Sequence, residues 1–251
     1  MNLPQRDPQQ LPQAYRISEV RVENTAVRSL VLDGSMVCVP GQFAMAWLPG
    51  LDEKPFSLSC ADPITVTVAR VGPFTTALHA LASGDRLWLR GPFGRGFSVE
   101  RGPLMFVCGG CGAAPLGYLA EVARRAGHMV HAVLGARSAE MLFFEERLAA
   151  LGCVVHLATD DGSAGFRGTA VECAASLLAD GGTPVGSLYA CGPEPMLEAV
   201  YALAQTQRLS CQLSYEAYMR CGIGVCGSCA REGKLVCWDG PVLRQPPRCH
   251  R

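Results

Sequence analysis

Short alternating segments fill the first hundred residues of the chain. Residues 64–71, ITVTVARV, alternate apolar side chains with threonine, and DRLWLRG continues this pattern after the turn ASGD. A period of two predicts strands with one buried face, and many such strands separated by Gly and Pro indicate an antiparallel barrel. We therefore predict an antiparallel β-barrel domain over residues 14–101, after a polar, proline-rich tail at residues 1–13.

The hydrophobic pattern changes near residue 102. PLMFVCGG is a continuous apolar run, as a buried parallel strand requires, and LGYLAEVARRAG follows it with Leu116, Leu119 and Val122 on one helical face. HAVLGAR, CVVHLATD and SLYACGP are further strand-like runs with helical stretches between them. Strand alternating with helix predicts an α/β domain with a parallel sheet over residues 102–210. Residues 211–251 then form a third segment, rich in cysteine and glycine.

Composition narrows the classes of protein that fit this pattern. The 251 residues include 22 Lys and Arg against 22 Asp and Glu, so bulk charge gives no reason to expect a nucleic-acid partner. No apolar run approaches the roughly 18–20 residues that span a bilayer, and the N-terminal stretch lacks the apolar core of a secretory signal. We expect a cytoplasmic protein without a membrane partner.

Three cysteines lie within nine residues in the stretch YMRCGIGVCGSCA. Cys221, Cys226 and Cys229 have the spacing C-x4-C-x2-C, and Cys237 follows. This is the spacing of plant-type 2Fe–2S proteins, in which four thiolates hold two irons. A structural zinc site remains the alternative, although it usually takes two C-x-x-C pairs and only one is present. We predict Cys237 as the fourth ligand, because it lies in an apolar run, whereas Cys249 is next to the chain end.

The other cysteines and the histidines are predicted to have no metal-binding role. Free cysteine packs as a small hydrophobe, and the histidines form no pair at ligand spacing in the sequence. We expect inert buried thiols at Cys38, Cys60, Cys108, Cys153, Cys173 and Cys211, and structural or surface roles for His79, His128, His131, His156 and His250.

Two loops of the α/β domain are candidates for a dinucleotide site. FVCGGCGAAP is a glycine-rich turn between a strand and a helix, where backbone amides can face a pyrophosphate. YACGPEPML leaves the carboxyl end of another strand of the same sheet, and ligands bind at those ends. A glycine-rich turn also occurs without a ligand, so the prediction depends on both loops together. The predicted cofactor-binding residues are Gly110, Gly112, Ala113, Ala114, Cys191, Gly192 and Met196.

The stretch KPFSLS offers a second binding group. It places a cation, a proline-fixed backbone and a hydroxyl just before a strand, and such a group can hold a phosphate and an aromatic ring. An ordinary loop leading into a strand is the alternative. No serine nucleophile elbow or paired-carboxylate motif stands out, so we predict no catalytic side chain, and cofactors carry the chemistry.

These motifs resemble a known family over nearly the whole chain. KPFSLS resembles the Arg-Pro-x-Ser flavin motif of ferredoxin-reductase-like proteins, with Lys54 in place of arginine. VGPFTTAL resembles their V-G-x-G-T-x-x-L segment, with Phe74 in place of the second glycine. GGCGAAPL, ATDDGSAGFRG and YACGPEPML follow in the family's order, and LSYEAYMRCGIGVCGSC and VCWDGPV resemble the C-terminal signature of one subgroup. That subgroup is the electron-transfer subunits of type 1B dihydroorotate dehydrogenase.

The resemblance implies three cofactors. FAD would lie in the barrel, NAD in the α/β domain and a 2Fe–2S cluster in the C-terminal segment on Cys221, Cys226, Cys229 and Cys237. Phe74 is expected to add bulk where the backbone approaches FAD. The residues implied for FAD are Lys54, Pro55, Phe56, Ser57, Ala69, Arg70, Val71, Thr75 and Thr76.

The resemblance also implies a partner and a reaction in pyrimidine biosynthesis. A separate FMN-containing subunit would oxidise dihydroorotate, and electrons would pass through the cluster and FAD to NAD+. Two copies of each subunit would form a heterotetramer. The alternative keeps the cofactors and changes the partner to a sulfhydrogenase or a ferredoxin–NADP oxidoreductase. A zinc-stabilised binding module is a third hypothesis. The choice between NAD and NADP stays open, because Arg137 can meet a 2′-phosphate, a pyrophosphate or solvent.

Overall fold

Six antiparallel strands close a barrel in the first part of the chain. The computed structural model describes residues 11–245, and the barrel order is β1-β2-β5-β4-β3-β6. The strands are β1 (Gln13–Val22), β2 (Val27–Leu32), β3 (Phe43–Leu48), β4 (Asp52–Ala61), β5 (Ile64–Ala69) and β6 (Arg86–Phe93). The predicted barrel is therefore confirmed.

The apolar side chains that alternate along the strands fill the barrel interior. Ile17, Leu30, Val66 and Leu89 are at most 1% exposed and belong to one apolar cluster. The alternating segment at 64–71 ends as a strand at Ala69, and a short helix, α1 (Pro73–His79), follows it. The sequence pattern did not predict this helix, because its seven residues are too few to show a helical period.

A seven-stranded sheet forms the second part of the fold. Its order is β10-β9-β8-β7-β11-β12-β15, and only β15 runs antiparallel to its neighbour. The predicted parallel α/β sheet is confirmed. Its strands are β7 (Leu104–Gly109), β8 (Val130–Ala136), β9 (Val154–Thr159), β10 (Phe166–Arg167), β11 (Ser187–Cys191), β12 (Ser210–Ser214) and β15 (Val242–Leu243).

Helices cover both faces of this sheet. Two of them, α2 (Ala113–Arg125) and α3 (Glu145–Ala150), pack with Phe106 and Leu134 in one cluster. The other two, α4 (Ala170–Ala179) and α5 (Glu194–Gln207), pack on the opposite face. None of the helices in residues 11–245 is long and apolar enough to cross a bilayer.

The C-terminal segment lies against both larger parts. A hairpin of β13 (Ala230–Arg231) and β14 (Lys234–Leu235) is followed by α6 (Val236–Asp239) and then by β15 in the large sheet. Pro241 forms an isolated β-bridge to Arg95, which follows the barrel. The Pro241 carbonyl accepts a hydrogen bond from the Tyr215 amide at 2.9 Å. Strand β12 begins at Ser210, the last residue of the predicted α/β domain, and continues into the predicted third segment.

A polar network fixes the connection between barrel and sheet. The Glu100 carboxylate accepts hydrogen bonds from the hydroxyls of Ser187 and Ser210 and pairs with Arg244 at 2.6 Å. The Tyr189 hydroxyl donates to the Ser98 carbonyl at 3.0 Å and accepts the Glu100 amide at 2.9 Å. Strands β11, β12 and the C-terminal segment therefore hold the connecting stretch in one position.

Most of the inert-thiol predictions agree with burial. Cys108, Cys153, Cys173 and Cys211 are buried, whereas Cys38 and Cys60 are only half-buried. One contact between histidines was not expected from the sequence. Strands β8 and β9 bring His131 and His156 together, with ring nitrogens 3.4 Å apart. Their rings stack at 5.7 Å, and the Nε2 atom of His131 is buried without a hydrogen-bond partner among the described residues. His250 lies outside the described residues.

This histidine pair predicts an acid-sensitive stability. Burial lowers the pKa of both rings, and the neighbouring ring lowers that of His131 further. The folded protein therefore binds protons at these two rings less readily than an unfolded chain, in which histidine titrates near pH 6.5. We expect the free energy of unfolding to decrease as pH falls from 7 to 5, because the unfolded chain then binds protons that the folded chain does not.

A His131→Phe variant should show a weaker pH dependence of unfolding in urea over this range. His128 offers the control, because it is not part of the pair and a His128→Gln variant should keep the dependence of the unaltered protein. If the unaltered protein and both variants showed the same pH dependence of unfolding, the histidine pair would not be the cause of that dependence.

Candidate functional site

A large cavity lies where the barrel, the sheet and the C-terminal segment meet. It has a volume of about 700 Å³ and an apolar lining with a few polar groups. The barrel contributes Phe56 and Ser57, the α/β domain contributes Ala114 and Cys191, and the C-terminal segment contributes Tyr218. A cofactor in this cavity would touch all three parts of the chain.

The structure divides the predicted cofactor residues into two groups. The residues that line the cavity are Lys54, Pro55, Phe56, Ser57, Ala69, Val71, Thr75, Ala114 and Cys191. The remaining predicted residues, Arg70, Thr76, Gly110, Gly112, Ala113, Gly192 and Met196, lie outside its lining. Most of the predicted residues of the barrel thus lie around one cavity. Of the predicted residues of the nucleotide loops, only Ala114 and Cys191 border it.

Lys54 is held at the edge of the cavity. Its ammonium group pairs with the Asp52 carboxylate at 2.6 Å and lies 5.5 Å from the centre of the Tyr218 ring. Asp52 is half-exposed, so solvent screens this ion pair. The Lys54 side chain thus lies between a barrel residue and the C-terminal segment, with its charge beside the cavity.

The Thr75 hydroxyl organises the loop that borders the cavity. Its oxygen accepts the amide hydrogens of Val71 at 2.9 Å and Gly72 at 3.0 Å, and it donates to the Gly72 carbonyl. These bonds close the first turn of α1. Thr75 thus shapes this loop through hydrogen bonds between its side chain and the loop backbone. Ser57 supplies a second hydroxyl to the cavity from strand β4.

Phe74 lines the cavity and also packs in the barrel core. Its side chain is 7% exposed and packs in the barrel core. The ring stacks on Phe56 with centroids 6.2 Å apart and planes inclined by 25°. Helix α1 thus turns most of the Phe74 side chain into the barrel core, while the residue still borders the cavity.

The first nucleotide loop ends at an open helix N-terminus. Gly110–Gly112 form a short 3-10 turn, and α2 begins at Ala113 with no side-chain cap and no acidic residue in its first turn. The backbone amides of such a turn are free to bind an anion, and the helix dipole favours negative charge there. This end of α2 therefore fits a pyrophosphate group.

The two nucleotide loops pack against each other without room for side chains. A Cβ atom at Gly112 would overlap the backbone carbonyl of Cys191, and one at Gly109 would lie 2.6 Å from the Met196 sulfur. A Cβ atom at Gly192 would lie 2.7 Å from the terminal methyl of Met196. Gly112 and Met196 thus hold the loops together, which explains their place outside the cavity lining.

Glu216 is the main site residue that the sequence reasoning missed. It follows β12 and borders the cavity, and the residue is exposed while its carboxyl is partly shielded from water. This partial burial raises its pKa. Its approach to Cys191 and Cys111 depends on the sheet order, which places β12 beside β11, so no sequence spacing indicated it.

The cavity thiols are kept protonated. Burial, followed by the nearby Glu216 carboxylate, raises the pKa of Cys191 to about 12. The same two causes raise the pKa of Cys111. A protonated thiol is a weak nucleophile, so these cysteines act as small apolar groups with weak hydrogen-bond donors.

The four predicted ligand cysteines lie in one compact region. The sulfurs of Cys229 and Cys237 are 3.2 Å apart, and the amide of Cys237 donates to the Cys229 sulfur at 3.4 Å. The amide of Cys226 lies 3.5 Å from the Cys221 sulfur. Within residues 11–245, no three His, Cys, Asp or Glu side chains surround one point as the ligands of a single ion would. The fit to an iron–sulfur cluster therefore rests on the donor set, which is four thiols with backbone amides directed at their sulfurs.

Two glycines allow this loop to approach its neighbours. Gly222 and Gly224 have φ angles of 73° and 79°, which favour glycine. A Cβ atom at Gly222 would lie 3.1 Å from Met45, and one at Gly224 would lie 3.2 Å from Trp238. The Gly224 amide also donates to the Cys237 sulfur at 3.3 Å.

The environment of the four thiols is asymmetric. Cys226 is exposed, and hydrogen bonds first with Ser228 and then with Cys221 lower its pKa to about 6. Cys237 is 1% exposed, and burial raises its pKa to about 12. One predicted ligand thus lies at the surface, and another is anchored in the apolar core.

One short stretch separates the cavity from the thiols. Tyr215 and Met219 line the cavity and also belong to the apolar cluster that contains Cys229 and Cys237. Both side chains are at most 5% exposed. A flavin in the cavity and a cluster on the thiols would therefore both lie next to the packing that includes these two side chains.

Comparison with known proteins identifies the same regions. The iron-sulfur cluster binding domain of dihydroorotate dehydrogenase B matches residues 216–245. The probable electron transfer subunit of dihydroorotate dehydrogenase B (NAD(+)) from Methanocaldococcus jannaschii is 40% identical over 234 residues, covering 92% of this chain and 89% of the relative. The corresponding Thermococcus kodakarensis protein is 44% identical over 217 residues, covering 86% and 89%.

Solved structures support the fold. The chain is similar to a structure described as an NADH-dependent reduced ferredoxin-NADP oxidoreductase, with a TM-score of 0.83, 27% identity and coverage of 92% and 87%. A Neisseria gonorrhoeae ferredoxin NADP+ reductase with bound FAD and NADP has a TM-score of 0.65 at 18% identity, covering 78% and 91%. The higher identity to the dihydroorotate dehydrogenase relatives favours their family over the ferredoxin–NADP alternative. This chain belongs to the family of electron-transfer subunits of dihydroorotate dehydrogenase B.

Proposed function

We propose that this chain passes electrons from an FMN-containing, dihydroorotate-oxidising subunit to NAD+, through a 2Fe–2S cluster and FAD. The observation that carries this proposal is that Tyr215 and Met219 line the cavity and also pack in the apolar cluster that contains Cys229 and Cys237. FAD supplies the exchange between single electrons and the electron pair carried by NAD(H), which side chains alone cannot provide. The step serves pyrimidine biosynthesis in the cytoplasm.

The barrel side of the cavity holds FAD in this proposal. Lys54 supplies a positive charge for a phosphate, Ser57 supplies a hydroxyl, and Phe56 supplies an aromatic face. Ala69, Arg70, Val71, Thr75 and Thr76 form the loop on the opposite edge. Lysine gives a point charge where arginine gives a planar fork, so Lys54 contributes charge without bidentate contact.

The sheet side holds NAD(H). The open N-terminus of α2, at Gly110, Gly112, Ala113 and Ala114, binds the pyrophosphate through backbone amides. Cys191, Gly192 and Met196 form the facing loop. Because Ala114 and Cys191 also line the flavin cavity, the nicotinamide end reaches the flavin from this side.

Cys221, Cys226, Cys229 and Cys237 hold the 2Fe–2S cluster. The exposure of Cys226 supports an approach of the partner from this side. The FMN-containing partner binds on this side, in an assembly of two copies of each subunit. No nucleic-acid or membrane contact is part of this function.

A double substitution tests the flavin site. A Lys54→Ala, Ser57→Ala variant loses a phosphate-directed charge and a hydroxyl, each of which contributes about 1–3 kcal/mol when bonded to a charged group. We expect the purified variant to contain less than about one tenth of the FAD of the unaltered protein, with its cluster absorption unchanged.

The matched control is Arg21→Ala, a residue whose only polar side-chain partner among the described residues is Glu19 on the barrel surface. It should keep full flavin content. Full flavin in the double variant would remove this group of residues from the FAD site.

A further inference from the structure

Phe56 and Phe74 form an aromatic pair at the edge of the cavity. Phe56 belongs to β4 and Phe74 to the first turn of α1, and both side chains border the cavity. Phe74 is 7% exposed and packs in the barrel core, whereas Phe56 is half-buried. Phe56 is therefore the member of the pair that presents more of its surface to the cavity.

The neighbouring strand gives Phe56 little support. The residue opposite it on β3 is Ala44, whose methyl group cannot cover a phenyl ring. The stack with Phe74, at a centroid distance of 6.2 Å and an angle of 25°, supplies the missing contact. Offset stacks of this kind contribute to the packing of aromatic pairs beyond the area that they bury.

Phe74 itself has a fixed position. The adjacent Thr75 hydroxyl binds the amides of Val71 and Gly72 and closes the turn that carries Phe74. Pro73 begins the helix and restricts the backbone at the residue before Phe74. The barrel core and the turn thus hold Phe74, and Phe74 holds Phe56.

We propose that Phe74 is a positioning residue for the flavin. It fixes the Phe56 ring so that the accessible face of that ring meets the flat isoalloxazine ring system of FAD. The inference rests on the proposed function, because it takes FAD as the occupant of the cavity. A larger residue at this position therefore serves binding from behind Phe56 and does not obstruct the cofactor.

A double-mutant cycle on FAD binding tests this arrangement. The full chain with its flavin removed is titrated with FAD, and the dissociation constant is measured from the quenching of flavin fluorescence. Phe74→Leu keeps an apolar side chain but removes the flat face, so we expect FAD to bind about 3- to 10-fold more weakly. In a Phe56→Leu background the same substitution should change binding by less than about 2-fold, because the residue through which it acts is gone.

Leu78→Val is the matched control for loss of core packing. Leu78 lies on α1, is 0% exposed, belongs to the same core cluster as Phe74 and does not border the cavity. This variant should lower the melting temperature of the flavin-free protein without weakening FAD binding. The visible circular dichroism of the bound flavin should change in Phe74→Leu and stay unchanged in Leu78→Val.

Each other outcome overturns the inference. Equal weakening by Phe74→Leu in both backgrounds, or weakening by Leu78→Val of the same size, would assign Phe74 a role in stability alone. Unchanged binding in Phe74→Leu would remove it from the site. If the unaltered protein binds no FAD, the proposed function fails as well, so the two failures are distinguishable.

Discussion

A Cys237→Ser variant should lose the visible absorption of the iron–sulfur cluster. Cys237 is 1% exposed, its sulfur lies 3.2 Å from that of Cys229, and the Gly224 amide donates to it at 3.3 Å. Packing thus fixes this thiol among the other predicted ligands. A serine hydroxyl stays protonated at neutral pH, whereas the ligands of a metal site must be deprotonated.

The functional consequence should be selective. Dihydroorotate-dependent reduction of NAD+ in the complex with the partner should fall by more than about 100-fold, beyond the 10–100-fold typical of losing an outer-shell contact. Reduction of a dye by NADH should largely remain, because the nucleotide loops and the flavin cavity are built from other residues. Absorption spectra and the two assays measure these effects separately.

Cys249→Ser is the control for this prediction. Cys249 lies outside the described residues, and its substitution should leave the cluster and both activities intact. Retention of the cluster in Cys237→Ser together with its loss in Cys249→Ser would reverse the assignment. Loss of dye reduction in protein that lacks the cluster but keeps its FAD would contradict the proposed order of electron flow.

A Gly112→Val variant should lose most of its NADH-dependent activity. A Cβ atom at Gly112 would overlap the Cys191 carbonyl, so the first nucleotide loop must move away from the second. Displacement of a binding loop by about 1 Å can cost about 100-fold in rate. We expect kcat/KM for NADH in the dye assay to fall by about 10- to 100-fold, with the Michaelis constant increased.

The control separates loop displacement from a general effect of valine. Gly182 has no atom within 4 Å of its Cβ position, and Gly182→Val should behave as the unaltered protein does. FAD content is measured in both variants, because the flavin site must remain filled for the comparison. An unchanged Michaelis constant in flavin-loaded Gly112→Val would remove this loop from the nucleotide site.

The order of the two domains was predictable because local patterns determine it. ITVTVARV alternates with a period of two and lies in the barrel as β5, and PLMFVCGG is continuously apolar and contains the buried strand β7. The cysteine spacing likewise indicates the iron–sulfur region, because the predicted ligands of the cluster lie close together along the chain. Features of this kind depend on neighbours in sequence.

The rest depends on which strands become neighbours in space. His131 and His156 are 25 residues apart and meet only because β8 pairs with β9 in a parallel register. Glu216 joins Cys191 at the cavity because β12 lies beside β11. The inward direction of Phe74 depends on the short helix α1, which the sequence pattern did not indicate. No spacing rule predicts contacts of this kind.

The most direct test of the proposed electron flow reconstitutes the complex. The chain, loaded with FAD and its iron–sulfur cluster, is mixed with the FMN-containing subunit and supplied with dihydroorotate and NAD+, and NADH formation is followed by absorption. We predict that NADH appears only when both subunits are present and stops when either cofactor of this chain is removed. Formation of orotate by the partner without any NADH, in a stable complex with both cofactors bound, would contradict the account.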